Sequence, residues 1–495
     1  MDLRSLRTGI VAIARLSSTL EEFLNEIFRF DKETVKAILA DYISSLRPDL
    51  FVLIEFPYVD KVYRDSYYSY YSTKHTKYER DCVRLSFFEE EVTEGDFFTE
   101  PGVSKVRRSF LGYIVLRPLI PKLIGRSMLS PKAFINRDFS CCSVRTNASV
   151  LGIKLNVTGF PHSSQDGETI TCAETTLWGV MEYFSHKYPE YRPILPSTII
   201  NTLSSSSYER QKPSLGLQPS QISFALKEFG FGVRIYSSEN YGSEFKRILH
   251  YYVQSGIPVI GALTYDSIGH AVTYIGFGDI QKESVENAKV SITLENGILD
   301  LNLVESADFS RDLIVIDDNF PAYQRALIEK PTEYYKTAKW SCCKISSFIV
   351  PLYHKIYLEA ALAKQYVLKT LQSRAFGFLS NEPVVLNFFL TSSRSYKNVM
   401  LQSDSLGILH KKLLMYTSMP KFIWVAELST KEMYLNKKTM GFILVDATAT
   451  NQNLEDLIVF IAYPSATYAY QGKEFKKIIS DLEPFNSFQG NLQPF

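Results

Sequence analysis

The chain has 495 residues, 45% of them hydrophobic, which is enough to bury a large core and predicts two or three domains. Lys and Arg total 54 against 53 for Asp and Glu, so no bulk charge attracts nucleic acid. No apolar run approaches a membrane span, and Gly9–Ala14 is too short for a signal sequence before Arg15 interrupts it. We therefore expect a soluble cytoplasmic protein without a nucleic-acid or membrane partner.

The number and spacing of the cysteines also predict a cytoplasmic protein. The six cysteines include two vicinal pairs, Cys141-Cys142 and Cys342-Cys343, a pattern that fits neither a disulfide framework nor the ligand spacing of a zinc site. A reducing cytosol suits such a chain. The sequence also has no HExxH motif, metal-ligand cluster or Gly-rich phosphate loop, so we predict no cofactor and no metal.

The first 135 residues predict an N-terminal accessory α+β domain. Apolar residues at three- and four-residue spacing indicate two helices, and later apolar runs indicate strands. The helices are Leu20–Phe28 and Thr34–Leu46, and the strands are Phe51–Phe56, Val83–Phe88 and Phe110–Leu116.

Residues 136–335 contain the most informative stretch, which runs from Gln165 to a helix that begins near Thr171. An apolar stripe predicts this helix, with Glu174 and Glu182 lying off the stripe. The stripe consists of Leu177, Val180, Met181 and Phe184.

Cys172 falls in the first turn of that helix, where free N–H groups and the macrodipole favour a thiolate, the nucleophilic form of cysteine. The side-chain amide of Gln165 and the backbone N–H of Cys172 would together form an oxyanion hole. The alternative is a buried structural cysteine, which packs as a small hydrophobic residue.

A base and an acid follow in the same region. His270 stands at the mouth of a predicted hairpin of two buried strands, Pro258–Leu263 and Ala271–Ile275. Further along, the apolar strand Leu313–Ile316 ends in Asp317-Asp318-Asn319. Because neighbouring side chains of a strand point to opposite faces, only one of the two aspartates should face His270 if the strand continues through Asp318. A solvated turn is the alternative for this acidic group.

Residues 336–495 predict a C-terminal α/β domain. Apolar strands alternate with amphipathic helices, and no chemistry can be assigned to the polar residues at the strand ends. The strands are Ile345–Val350, Val384–Leu390, Phe422–Leu428, Gly441–Asp446 and Leu457–Ile461, and the helices are Lys355–Leu371 and Leu406–Tyr416.

Gln165, Cys172, His270 and then Asp317 or Asp318 occur in the order that thiol acyl-transfer chemistry needs. With the helix before Gly230 and the run Gly256–Ile260, they resemble the papain-like cysteine peptidase superfamily, most nearly its bacterial C39-like branch, over residues 150–330. The chain differs from papain at Ala173, where an aromatic residue usually follows the nucleophile. It also lacks the membrane and ATPase parts of the C39 exporters.

The resemblance implies a central papain-like domain in an α+β chain. It assigns Cys172 as nucleophile, His270 as base, Asp317 as orienting acid, with Asp318 as the alternative, and Gln165 as oxyanion donor. The expected function is a thiol hydrolase, a cysteine peptidase or isopeptidase, acting on a peptide or protein. A transglutaminase, acyltransferase or deamidase with the same triad, or a non-catalytic binding or scaffold protein on this fold, are the alternatives.

Overall fold

The computed structural model describes residues 10–15, 39–120, 122–207, 211–214, 216–266, 268–295, 299–450, 457–471, 474–479 and 481–495. Helices account for 31% and strands for 34%, which confirms the α+β class. Of the two helices predicted near the N-terminus, Leu20–Phe28 lies outside the described residues, and the second is described as helix over residues 39–44. Among the helices that the structure describes, none combines the length and apolarity needed to cross a bilayer.

Twelve helices within the described residues are given numbers along the chain. They are α1 (Lys61–Ser69), α2 (Glu100–Ser109), α3 (Cys172–Lys187), α4 (Pro196–Ser204), α5 (Pro219–Glu228), α6 (Ser238–Tyr241), α7 (Glu244–Gln254), α8 (Lys282–Glu286), α9 (Ala360–Gln372), α10 (Ser393–Gln402), α11 (Ile408–Tyr416) and α12 (Lys431–Leu435).

The first sheet contains seven strands, and all neighbouring pairs are antiparallel. In order across the sheet they are β1 (Ile10–Arg15), β2 (Phe51–Tyr58), β3 (Cys82–Phe88), β4 (Phe110–Leu116), β5 (Ile124–Leu129), β8 (Ile153–His162) and β7 (Val144–Val150). β8 leads directly into the segment that contains Gln165.

The middle sheet is also antiparallel and holds the strands on which the predicted histidine and aspartate lie. Its main path runs through β15 (Gln324–Ala326), β14 (Leu313–Ile316), β11 (Ile268–Gly278), β10 (Val259–Tyr265), β16 (Lys344–Tyr353) and β9 (Phe231–Ser237). β6 (Phe139–Cys141) pairs with the end of β11 and with β25 (Gln493–Pro494).

The third sheet has eight strands, of which only one neighbouring pair is parallel. In order they are β12 (Ile292–Leu294), β13 (Leu301–Glu305), β17 (Val384–Ser392), β18 (Phe422–Ser429), β20 (Gly441–Asp446), β21 (Ile458–Tyr463), β22 (Ala466–Gln471) and β23 (Glu474–Ile479). A separate pair joins β19 (Lys438–Thr439) to β24 (Phe485–Asn486).

Strand pairing crosses both predicted domain boundaries. The hairpin β7–β8 belongs to the first sheet, although it lies in the predicted central segment 136–335. β12 and β13 of the same segment pair into the third sheet, while β16, predicted for the C-terminal unit, pairs with β10 and β9. The C-terminal unit is also not α/β, because every pair formed between described strands of residues 336–495 is antiparallel, and β17 is parallel only to β13 of the central segment. Local sequence carries no signal for these distant partners.

Helix α3 packs between two sheets, against β11 on one side and the hairpin β7–β8 on the other. Its helical start agrees with the prediction, but its exposure does not, because Glu174 and Glu182 are only 2% and 3% exposed. Glu174 accepts hydrogen bonds from Thr171 at the helix start and from Ser214 Oγ at 2.5 Å. α3 is therefore buried on both sides, whereas the apolar stripe predicted a helix with one buried face.

Candidate active site

Cys172 is the first residue of α3, and local hydrogen bonds fix that start. Thr171 is extended and donates its backbone N–H to Glu174 Oε2 at 3.1 Å, while its hydroxyl donates to the same oxygen at 2.6 Å. This capping box fixes the start of α3, so that Cys172 stands at the positive end of the helix dipole. Cys172 is partly exposed, unlike buried Cys343 and Cys142. A partly exposed thiol at a helix N-terminus suits a nucleophile.

His270 lies on β11, opposite Leu263 of β10, and is 5% exposed. Its Nε2 is 3.0 Å from Asp317 Oδ1, and the Cys172 side chain lies close enough to the ring to raise the pKa of His270. Since Nε2 faces the carboxylate, Nδ1 is the nitrogen left for the sulfur. α3 is held against β11 nearby, where the Thr176 hydroxyl donates to the carbonyl of Ala271 at 3.3 Å. The structure thus brings the predicted nucleophile, base and acid together.

Asp317 directly follows β14, which pairs with β11 through Ile316 and Thr273. Its Oδ1 accepts from His270 Nε2 and from the backbone N–H of Asn319 at 2.9 Å. Its Oδ2 accepts from the hydroxyls of Tyr334 and Tyr335, each at 2.9 Å. Four donors therefore hold this fully buried carboxylate in its ionised form.

The charged forms of His270 and Asp317 stabilise each other. Burial by itself lowers the pKa of His270, but the Asp317 carboxylate and the nearby Cys172 outweigh it and hold the pKa well above its ordinary value. Burial likewise raises the pKa of Asp317, yet the charge and hydrogen bond of His270 bring it below its ordinary value. An imidazolium beside a carboxylate is the partner that stabilises a thiolate.

Asp318 faces the same histidine from a greater distance. Its Oδ1 is 3.8 Å from His270 Nε2, and its Oδ2 accepts the backbone N–H of Gln165 at 3.2 Å. Burial raises the pKa of Asp318 to about 6, partly offset by the charge of His270. The prediction that only one aspartate faces His270 assumed a strand that continues through Asp318. In the structure β14 ends at Ile316, and the chain turns after it. Both carboxylates consequently approach the ring, Asp317 more closely.

Gln165 reaches the site through the acidic turn. Its side-chain Nε2 donates to Asn319 Oδ1 at 3.3 Å, which uses one of its two amide hydrogens. Lys122 Nζ donates to the same Asn319 oxygen at 3.3 Å. The second amide hydrogen of Gln165 is therefore left for another acceptor.

The loop between Gln165 and α3 is braced from inside. Asp166 Oδ1 accepts the backbone N–H groups of Glu168 at 2.9 Å and Thr169 at 2.7 Å. Arg117 Nη2 donates to the carbonyls of Ser164 at 3.0 Å and Gln165 at 3.1 Å. Such bracing holds the loop in place before a substrate arrives.

Three aromatic residues that the sequence did not single out complete the site. Besides binding Asp317, the Tyr335 hydroxyl accepts from Asn319 Nδ2 at 3.2 Å and lies 3.3 Å from His270 Nε2. Trp340 stacks on Tyr335 with centroids 4.8 Å apart and meets the His270 ring edge-on at 5.3 Å. Tyr334 is the second phenol on Asp317. This aromatic cover limits the access of water to the charged pair. The aromatic run shortly after Asp317 is the only sequence signal for it.

The one group of described residues with enough clustered ligand atoms for a metal is His270, Asp317 and Asp318, whose atoms lie within 4.8 Å of one another. Each oxygen of Asp317 already accepts two hydrogen bonds, and His270 Nε2 faces that carboxylate directly. The arrangement is therefore that of a hydrogen-bonded acid–base pair. Comparisons with known proteins gave no family model and no curated protein that matches this chain.

Proposed function

We propose that the protein is a thiol hydrolase, a cysteine peptidase or isopeptidase, built on a papain-like domain over about residues 150–330. The observation that supports this most is that Cys172, His270 and Asp317 lie together. The proposed nucleophile stands at a helix N-terminus, and Asp317 Oδ1 is 3.0 Å from His270 Nε2. The order of these residues along the chain is that of the superfamily which the sequence resembles.

The reaction follows from the roles of these groups. His270 takes the proton of Cys172, and the thiolate attacks the carbonyl carbon of the peptide bond. The backbone N–H of Cys172 and the amide of Gln165 stabilise the oxyanion that forms. His270 then protonates the leaving amine, and water attacks the thioester with His270 as base, which releases the acid and restores the thiol. Asp317 holds the ring orientation throughout and stabilises the imidazolium whenever His270 carries the second proton.

The proposed substrate is a peptide or protein, and the proposed location is the cytosol. All six cysteines, each within the described part of the chain, are free. An unpaired set that includes the exposed Cys342 is typical of a reducing compartment.

Labelling with a thiol-reactive electrophile such as iodoacetamide tests the proposal. We expect Cys172 to be alkylated faster than the exposed Cys342, because it stands at a helix N-terminus beside the proposed base His270. Cys342→Ser is the matched control, since it removes an exposed thiol outside the proposed triad. Equal, slow labelling of Cys172 and Cys342 would indicate a scaffold instead of an enzyme.

Profiling against a peptide library then tests the reaction, with Cys172→Ala as the inactive reference. Cleavage that requires Cys172 supports a hydrolase. Adding a primary amine to the assay distinguishes the transferase alternative, because only a transferase would incorporate the amine into the product.

A further inference from the structure

A cavity of about 290 Å³ lies at the far end of α3, between the middle and third sheets. It is lined by the last turn of α3, by β16, by the end of β17 with the start of α10, and by the exposed Gly490 at its edge. Its volume is close to the lower limit of pockets that hold small organic ligands. It is separate from the Cys172 region, because the 16 residues of α3 place the helix ends about 22 Å apart.

Aromatic rings form much of the wall. Tyr191 stacks on Phe231 with centroids 4.2 Å apart and planes within 6°, so its position is fixed. Tyr353 and Phe422 meet at 5.0 Å on another side, and Tyr188 is also part of the wall. Rigid aromatic faces arranged in this way are suited to a flat, unsaturated ring system.

One buried polar group beside the cavity lacks a hydrogen-bond partner. Tyr191 is 7% exposed, and its hydroxyl has no hydrogen-bond partner within the described part of the chain. Such an orphaned hydroxyl costs free energy unless a ligand or water satisfies it.

The charge of the cavity favours an anion. Lys187 Nζ donates to the Tyr183 hydroxyl at 2.5 Å, and no carboxylate of the described residues pairs with it. Burial lowers the pKa of Lys187, so an anion bound beside it would favour the ammonium form. Ser392 caps α10 by accepting the backbone N–H of Ser395 at 3.1 Å, and both serines line the cavity. Glu190 lies nearby, but its negative charge is paired, because Lys421 Nζ is 3.4 Å from Glu190 Oε1.

We infer that this cavity binds a small planar aromatic carboxylate, with its rings against Tyr353, Phe422 and Tyr188 and its acid group near Lys187. The uncompensated ammonium and the start of α10 favour a negative charge. The ring faces favour a planar partner over a saturated one. The inference does not depend on the proposed hydrolase activity, since it uses no residue of that site.

Calorimetric titration of the full chain with 2-naphthoate tests it, with 2-naphthamide and cyclohexanecarboxylate as comparison ligands. For a ligand of this size we expect a Kd of about 0.1 mM. The uncharged amide and the saturated acid should each bind at least about tenfold more weakly, since each loses one of the two recognition elements. Equal binding of all three ligands, or no binding of 2-naphthoate at about 2 mM, overturns the inference.

Variants locate the binding. Lys187→Met keeps the length of the side chain and should weaken 2-naphthoate binding about tenfold or more, whereas Lys227→Met, at the end of α5, should leave it unchanged. Should Lys187→Met fail to fold, Ser395→Phe, which fills the cavity from α10, should abolish binding. Cys172→Ala should bind as the wild type does. Unchanged binding in a folded Lys187→Met variant, or loss of binding in Cys172→Ala, would contradict a site at this end of α3.

Discussion

Replacing Asp318 with asparagine should stabilise the protein at neutral pH. Burial raises the pKa of Asp318 to about 6, and its Oδ1 has no hydrogen-bond partner within the described structure. The unfolded chain ionises near the ordinary aspartate pKa of about 3.9, so the buried charge destabilises the folded state at pH 7. A difference of about 2 pKa units corresponds to about 3 kcal/mol. The amide that replaces the carboxylate would still offer an oxygen to the backbone N–H of Gln165, so the turn keeps its bond.

Proton linkage gives the direction of this stability change and the pH range over which it develops. Below about pH 4 the group is protonated in both states and contributes nothing, whereas between about pH 4 and 6 only the folded form keeps the proton. The wild type therefore loses stability through this group as pH rises across that window, and Asp318→Asn does not. The gap between the two proteins should grow to about 3 kcal/mol by pH 7.

Urea denaturation at pH 4, 5, 6 and 7, followed by tryptophan fluorescence, measures this gap directly. Asp300→Asn, at an exposed position, serves as the control and should show no comparable growth. A variant less stable than the wild type at pH 7, or a gap that does not change with pH, would show that the Asp318 charge is compensated in the folded state.

Six further variants at five positions test the proposed chemistry. Cys172→Ala should abolish turnover with little change in thermal stability, because alanine suits the first turn of a helix; retained turnover would make the residue structural. Asp317→Ala should lower kcat/KM by about a hundredfold or more, Asp317→Asn by less, and Asp318→Ala far less, and the reverse order would assign the triad to Asp318. Gln165→Ala should lower kcat about a hundredfold with little change in KM, whereas an effect on KM alone would make it a substrate-positioning residue. Tyr335→Phe should lower kcat about tenfold through loss of a bond to Asp317, and should shift the pH profile of kcat/KM, which a purely structural role would not.

Much of the local structure was predictable because it depends on near neighbours. Thr171 and Glu174 stand at the spacing of a capping box, which places Cys172 in the first turn. The hairpin that carries His270 is confirmed, with Ala262 opposite Ala271. The apolar strand before Asp317 is confirmed as well. Each of these depends on periodicity or capping within about ten residues of the chain.

What could not be predicted depends on distant contacts. Tyr335 lies 65 residues from His270 along the chain, and only the turn after β14 brings the phenol to the ring. The choice between Asp317 and Asp318 depended on where β14 ends, and strand ends are set by the partner strand β11 as much as by local propensity. The burial of Glu174 and Glu182 likewise follows from the packing of a second sheet on α3.

The position of β8 has a practical consequence for dissecting the chain. This ten-residue strand is hydrogen-bonded to β5 and β7 of the first sheet and ends at His162, three residues before Gln165. The Tyr323 hydroxyl reinforces the connection, since it donates to the carbonyl of Leu129 at 2.8 Å and accepts the backbone N–H of Phe160 at 2.9 Å. A truncation near residue 136 would remove the strand partner that anchors β8, and with it the support of the Gln165 loop. The first sheet is therefore a structural wall of the proposed catalytic unit, and the smallest fragment worth expressing to test for activity must contain it.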